Sequence, residues 1–190
     1  DQNYRVEYEE GVGTEAYTEQ TPFSAELISG IRDGSIKKAD QYDDSAMVFG
    51  STAKEHVNSM LAKVAKIVNE SPNATIIIDV YGFSRGAAEA RDFINEINKI
   101  YTNVDGESVV GFVGLFDTVA SIDLPTNNDS PLNLNLDKDS AQRIVHFTAQ
   151  DEKRTTFPLD TLLNMVGDTI KEESLPGVHS DIGGGYGTLD

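Results

Sequence analysis

Apolar positions recur along this chain with more than one period, and each change of period marks a new element. Val57, Met60, Leu61, Val64, Ile67 and Val68 fall at helical spacing. Thr52 and Glu55 ahead of them have the spacing of a capping box, and Ser71-Pro72-Asn73 predicts a stop near Asn69. Residues 75–80 form a β-branched run with little alternation, the pattern of a strand buried on both faces. Helical spacing returns after Ser84, with Ala87, Ala88, Ala90, Phe93, Ile94, Ile97 and Tyr101 on or near the inner face. Residues 108–115 and 143–148 predict two more buried strands, and residues 159–170 a further helix. Residues 4–9 alternate and end at Gly11-Val12-Gly13-Thr14, which predicts a short strand running into a glycine turn. Residues 21–44 are irregular apart from an apolar helical patch at Leu27, Ile28 and Ile31.

Strand, helix, strand, helix, strand is the order of an α/β fold, with a mainly parallel sheet and helices on its faces. No internal repeat or low-complexity linker divides the chain, and 190 residues fit one domain with a real core. Ligand sites in such sheets lie beyond the carboxyl ends of the strands. Residues able to do chemistry are therefore sought directly after the predicted strands.

Gly82-x-Ser84-x-Gly86 stands at such a place, between a buried strand and a helix. In that context the pattern describes a nucleophile elbow. A sharp, strained turn lifts the serine hydroxyl out of the sheet, and small neighbours let strand and helix approach closely. The serine also lies at a helix N-terminus, where backbone N–H groups favour a developing oxyanion. The N–H of Arg85 is the expected first oxyanion donor, and Gly11 and Val12, also following a strand, are candidates for the second.

A serine nucleophile needs a general base and a group that orients it. The chain has three histidines. His56 precedes Ser84 and lies within the predicted helix, which is the wrong order for this fold. His146 lies inside a predicted strand, between Val145 and Phe147, where a packed histidine is the ordinary reading. His179 lies on a loop followed by Gly183-Gly184-Gly185, and on position it is the stronger candidate of the two. The acid should end a strand after the nucleophile. Asp117 does so, and a carboxylate there needs a partner such as an imidazolium. Asp123 is a nearby alternative, and Asp151 is remote.

Composition and charge narrow the choices further. There is no cysteine, which excludes disulfides, thiolate metal sites and a cysteine nucleophile. The net charge of -17 disfavours nucleic acid, and it disfavours simple electrostatic adsorption to anionic lipid. No apolar run approaches the ~18 residues of a membrane span. The residues from Asp1 onward show no basic n-region and apolar h-region, so no signal peptide is read in them. The acidic clusters Asp43-Asp44 and Asp137-Lys138-Asp139 lack calcium-loop spacing and read as solvated loops. Gly11-Val12-Gly13 lacks the third glycine and acidic partner of a dinucleotide site. Neither a metal nor a cofactor is expected.

Three blocks then resemble one family: residues 81–87 (Tyr-Gly-Phe-Ser-Arg-Gly-Ala), residues 114–119 (Gly-Leu-Phe-Asp-Thr-Val) and residues 176–186, from Pro176 through His179 to Tyr186. They look like the α/β-hydrolase domain family that includes the type VI secretion phospholipase effectors. Residues 10–14, and residues 146–157 with Asp151, Glu152, Lys153 and Arg154, resemble further blocks of it. The resemblance implies a Ser84, Asp117, His179 triad, choosing His179 over His146. It implies a lipase or phospholipase that releases fatty acid from glycerophospholipid. In bacteria such proteins are delivered into a rival's periplasm by a secretion spike and are paired with an immunity protein. The family's usual upstream glycine-rich strand is not found, and members continue well past the histidine loop. The expectation is therefore one α/β-hydrolase catalytic domain over residues 1–190, lacking the parts that select substrate. Its rivals are a non-catalytic binding module on the same fold, and an esterase or acyltransferase acting on something other than lipid.

Overall fold

In a computed structural model, the protein is described at residues 5–9, 44–120, 132–155, 157–162 and 167–185. Helix α1 spans Asp44–Glu70, strand β1 Ile78–Phe83, helix α2 Arg85–Ile100, strand β2 Val110–Phe116, strand β3 Arg143–Ala149, strand β4 Ile170–Leu175 and the one-turn helix α3 His179–Ile182. The four strands lie in the order β1-β2-β3-β4, every neighbouring pair parallel. This is the α/β fold expected from the periodicity.

The core forms where α2 meets the sheet. Ile94 and Ile97 of α2, Val110, Val113 and Leu115 of β2, and Ile144 of β3 are all fully buried. Val57, Leu61 and Val64 of α1 join the same cluster from the far side of α2. Sandwiched in this way, α2 is buried continuously over residues 87–94, charged residues included. Each buried charge has partners. Asp92 accepts from Lys54 Nζ at 2.6 Å and from the amide of Asn133 at 2.8 Å. Glu89 faces His56 Nδ1 at 3.2 Å, which gives that histidine a place in the helix packing. Arg91 donates to the carbonyls of Leu134, Asp160 and Thr161. On the other face of the sheet, Tyr81 packs against Phe112 and is 64 % exposed.

Several elements depart from the sequence reading. Helix α1 runs upstream through the Thr52 capping box, and no proline lies between Asp44 and Thr52 to interrupt its hydrogen bonding. Asp44 thus opens a helix rather than sitting in a loop, whereas residues 137–139 form the exposed turn expected. Residues 5–9 form no strand; they lie against α1, where Lys63 Nζ donates to the Tyr8 carbonyl and the Ser59 hydroxyl to the Glu9 carboxylate. Residues 159–162 are not helical, and 163–166 lie outside the described residues. The Asp160 amide donates to the Thr118 carbonyl and the Leu162 amide to Glu172, which ties this segment to the Asp117 turn and to β4. Ile170, read as the end of that helix, begins β4. That edge strand carries the polar sequence Ile-Lys-Glu-Glu-Ser-Leu, without the apolar run that reveals a buried strand.

Candidate active site

The C-terminal ends of β1, β2 and β4 deliver three side chains to one place. At the end of β1 the backbone turns sharply, and Ser84 adopts φ 56° and ψ -123° before α2 begins at Arg85. Backbone bonds hold this turn. The Ser84 amide donates to Phe116 O at 2.9 Å, and the Ser84 carbonyl accepts from the amides of Ala87 and Val119. The glycine at 82 is required by space: a Cβ there would lie 2.4 Å from Gly86 O and 2.7 Å from the Ala87 backbone. Gly86 is different, because a Cβ there would meet nothing within 4 Å. The close approach read from both glycines thus belongs to Gly82. Chemical denaturation should show Gly82→Ala losing about 3 kcal/mol or more. In the same assay Gly86→Ala, inside a helix, should be neutral or gain up to ~1 kcal/mol.

At the end of β2, Asp117 also takes a left-handed conformation, with φ 43°. Its amide donates to Phe147 O at 2.7 Å, continuing the β2–β3 ladder by one residue. Both oxygens of its carboxylate are bonded. Oδ1 accepts from the Ala149 amide at 2.7 Å, and Oδ2 lies 2.6 Å from His179 Nδ1. His179 follows β4 as the first residue of α3, rather than standing in an open loop, and its Nε2 lies 2.8 Å from Ser84 Oγ. Asp117 and His179 are buried at 3 % and 4 % exposure, while Ser84 is only half-buried. The acid and base are thus shielded from water, and the hydroxyl stands at the surface end of the chain of hydrogen bonds.

The β3–β4 side supplies a clamp on the histidine. The Asp151 amide donates to Gly177 O and the Gly177 amide to Asp151 Oδ2, both at 2.9 Å. Asp151, remote in sequence, is therefore adjacent to the histidine turn in space. Gly177 has φ 120° and a Cβ there would fall 2.9 Å from Asp181 Cβ, so glycine is needed at this bend. Glu152 Oε2 accepts from the His179 amide at 3.2 Å. Hydrogen bonds from the Arg154 side chain, assisted by the amides of Arg154 and His179, hold the Glu152 carboxyl well below the usual carboxylate range. Phe83 stacks at 4.6 Å on one side of the His179 ring, and Phe157 meets it edge-on at 4.9 Å. Arg154 in turn lies 3.9 Å above the Phe157 ring. None of these supporting roles was read from the residues. The one signal was the block of acidic and basic residues at 151–154.

The other sequence candidates separate cleanly. His56 and His146 belong to different hydrogen-bonded groups within the fold. Arg85 opens α2 directly after Ser84, with its N–H at the helix N-terminus. Gly11, Val12 and Asp123 lie outside the described residues.

Comparison with known proteins bears on what this arrangement belongs to. The family described as the type VI secretion (T6SS) phospholipase effector Tle1-like catalytic domain matches residues 95–190, half of the chain. The chain belongs to that family. The matched segment of this Tle1-like chain holds Asp117 and His179, and Ser84 lies shortly before it. Among solved structures, the Tle1 effector bound to the VgrG spike of the type 6 secretion system is 32 % identical, over 75 % of this chain and 31 % of that one, with a TM-score of 0.48. An uncharacterized protein from Pseudomonas aeruginosa is 29 % identical, over 76 % of this chain and 25 % of that one, with a TM-score of 0.44. The Tle1-like chain thus spans about a quarter to a third of the length of these two proteins. No curated protein matches it. Among the described residues, no helix is long and apolar enough to cross a membrane.

Proposed function

We propose that this Tle1-like chain is a serine hydrolase that cleaves fatty-acyl esters of phospholipids through an acyl-enzyme. One observation carries the reading: a continuous chain of hydrogen bonds from Ser84 Oγ through both nitrogens of His179 to the buried Asp117 carboxylate. Asp117 accepts a hydrogen bond from Nδ1–H, which keeps that proton on Nδ1 and leaves the Nε2 lone pair facing the serine hydroxyl. Ser84 Oγ attacks the ester carbonyl as Nε2 takes its proton. The oxyanion forms at the N-terminus of α2, where the Arg85 N–H and a donor from Gly11 or Val12 stabilise it. Collapse expels the alcohol, protonated by His179. Water, activated by the same nitrogen, then cleaves the acyl-Ser84 ester and releases the fatty acid.

The phospholipid substrate rests on family membership, and so does the delivery route. In that role the protein binds a secretion-spike protein, as the Tle1 effector is bound to the VgrG spike. It acts in the periplasm of the target cell and is held inactive in the producer by an immunity protein. Incubation with phosphatidylethanolamine vesicles should release free fatty acid and the matching lysophospholipid. Cleavage of a short soluble ester with no release from vesicles would replace the phospholipid assignment by an esterase or acyltransferase acting elsewhere.

A further inference from the structure

His146 sits at the centre of β3 with no exposed surface, directly beneath the turn that carries Asp117. Its strand neighbours in register are Leu115 on β2 and Glu172 on β4, so these three side chains share one face of the sheet. The ring is bonded at both nitrogens. Nδ1 lies 2.8 Å from Glu172 Oε2. Nε2 lies 3.2 Å from the backbone N of Thr118 and 3.1 Å from Thr118 Oγ1.

These partners dictate where the ring proton is. A backbone N–H can only donate, so Nε2 must present its lone pair to Thr118. A carboxylate can only accept, so the proton is on Nδ1, facing Glu172. The ring is therefore the neutral Nδ1–H form. A second proton would set N–H against N–H at Thr118. Burial pushes the His146 pKa down, with Arg91 acting the same way, against the opposing pull of Glu172 and Asp117.

Thr118 is the residue after Asp117, whose left-handed backbone is costly for a residue other than glycine and needs support from its surroundings. Four other backbone groups of that turn are held: Asp117 N by Phe147 O, Thr118 O by the Asp160 amide, Val119 N by Ser84 O, and Ala120 N by Asp160 Oδ2. Thr118 N is held by an imidazole. We propose that His146 is a positioning residue for the hydrolase reaction. Its neutral Nε2 accepts the Thr118 N–H and fixes the Asp117 turn so that the carboxylate meets His179, while Glu172 holds His146 in the required tautomer. The effect on turnover rests on the hydrolase reading above; the tautomer does not.

Two measurements test it. In protein labelled with ¹⁵N-histidine, His146 should give the neutral Nδ1–H pattern and fail to titrate across about pH 5–8, where a free histidine would change charge. In kinetics, His146→Phe removes the acceptor, and an acid displaced by about 1 Å should lower kcat roughly 100-fold with KM nearly unchanged. His146→Gln, which can accept from Thr118 and donate to Glu172, should recover most of that loss. An Nε2–H or charged ring would overturn the proposal. So would wild-type kcat in His146→Phe, or a Gln variant as slow as the Phe variant. Should His146→Phe not fold, the Gln variant and the tautomer decide. Ester hydrolysis that survives loss of Ser84 would instead overturn the hydrolase reading and leave the tautomer to be read on its own.

Discussion

Ser84→Ala is expected to lower kcat for ester hydrolysis by roughly 10⁶-fold, the scale seen when a triad nucleophile is removed and the oxyanion site remains. The fold should survive the change. The turn at Ser84 is held by its backbone, through bonds to Phe116, Ala87 and Val119, while the hydroxyl bonds to His179. Alanine carries much the same penalty as serine at φ 56°, so the melting temperature should barely move. Initial rates on a p-nitrophenyl ester, with a thermal melt of each protein, separate the two effects. Unchanged activity in a folded Ser84→Ala protein would contradict the mechanism.

Asp117→Asn should cost about 10⁴-fold in kcat with little change in KM. The reason is specific to this site. Asp117 Oδ1 accepts from the Ala149 amide, so an asparagine must keep its carbonyl oxygen there and turn its NH2 group to His179 Nδ1. Two donors cannot share that bond. The imidazole must then carry its proton on Nε2, where it faces Ser84 and has no lone pair to accept the hydroxyl proton. The opposite amide orientation would set NH2 against the Ala149 N–H. Steady-state kinetics on the folded variant check this, and a loss smaller than about tenfold would show that Asp117 does not hold the imidazole tautomer.

Much of the fold was legible in the apolar pattern because its central elements are buried. Strands β2 and β3 are buried apolar runs around Val113 and Ile144, and the inner faces of α1 and α2 keep helical spacing. Strand β1, read as buried on both faces, is instead an edge strand of the described sheet whose residues alternate half-buried and exposed, with Ile78 and Val80 towards the core. Strand β4 was hidden by its position at the edge, where Lys171 and Glu172 meet water. The helix expected near Leu159 is absent at residues 159–162, where the Asp160 and Leu162 amides bond to the Asp117 turn and to Glu172, tertiary contacts that local spacing does not contain. Ser84 and Asp117 could be found because an elbow and a strand-end carboxylate are local features. Choosing between His146 and His179 was not local. It depended on resemblance, and the geometry that brings His179 to Ser84 requires β4, which the pattern did not reveal. The clamp from Asp151, Glu152 and Phe157 was beyond reach for the same reason, since it joins the ends of two strands whose adjacency follows from the sheet order.

In the proposed mechanism Ser84 is a nucleophile activated by His179. Treating the folded protein with a fluorophosphonate and locating the adduct by peptide mass spectrometry tests it without assuming any substrate. One adduct per chain is expected, on Ser84, lost in His179→Ala. An unlabelled Ser84, or labelling that persists in His179→Ala at the wild-type rate, would contradict it.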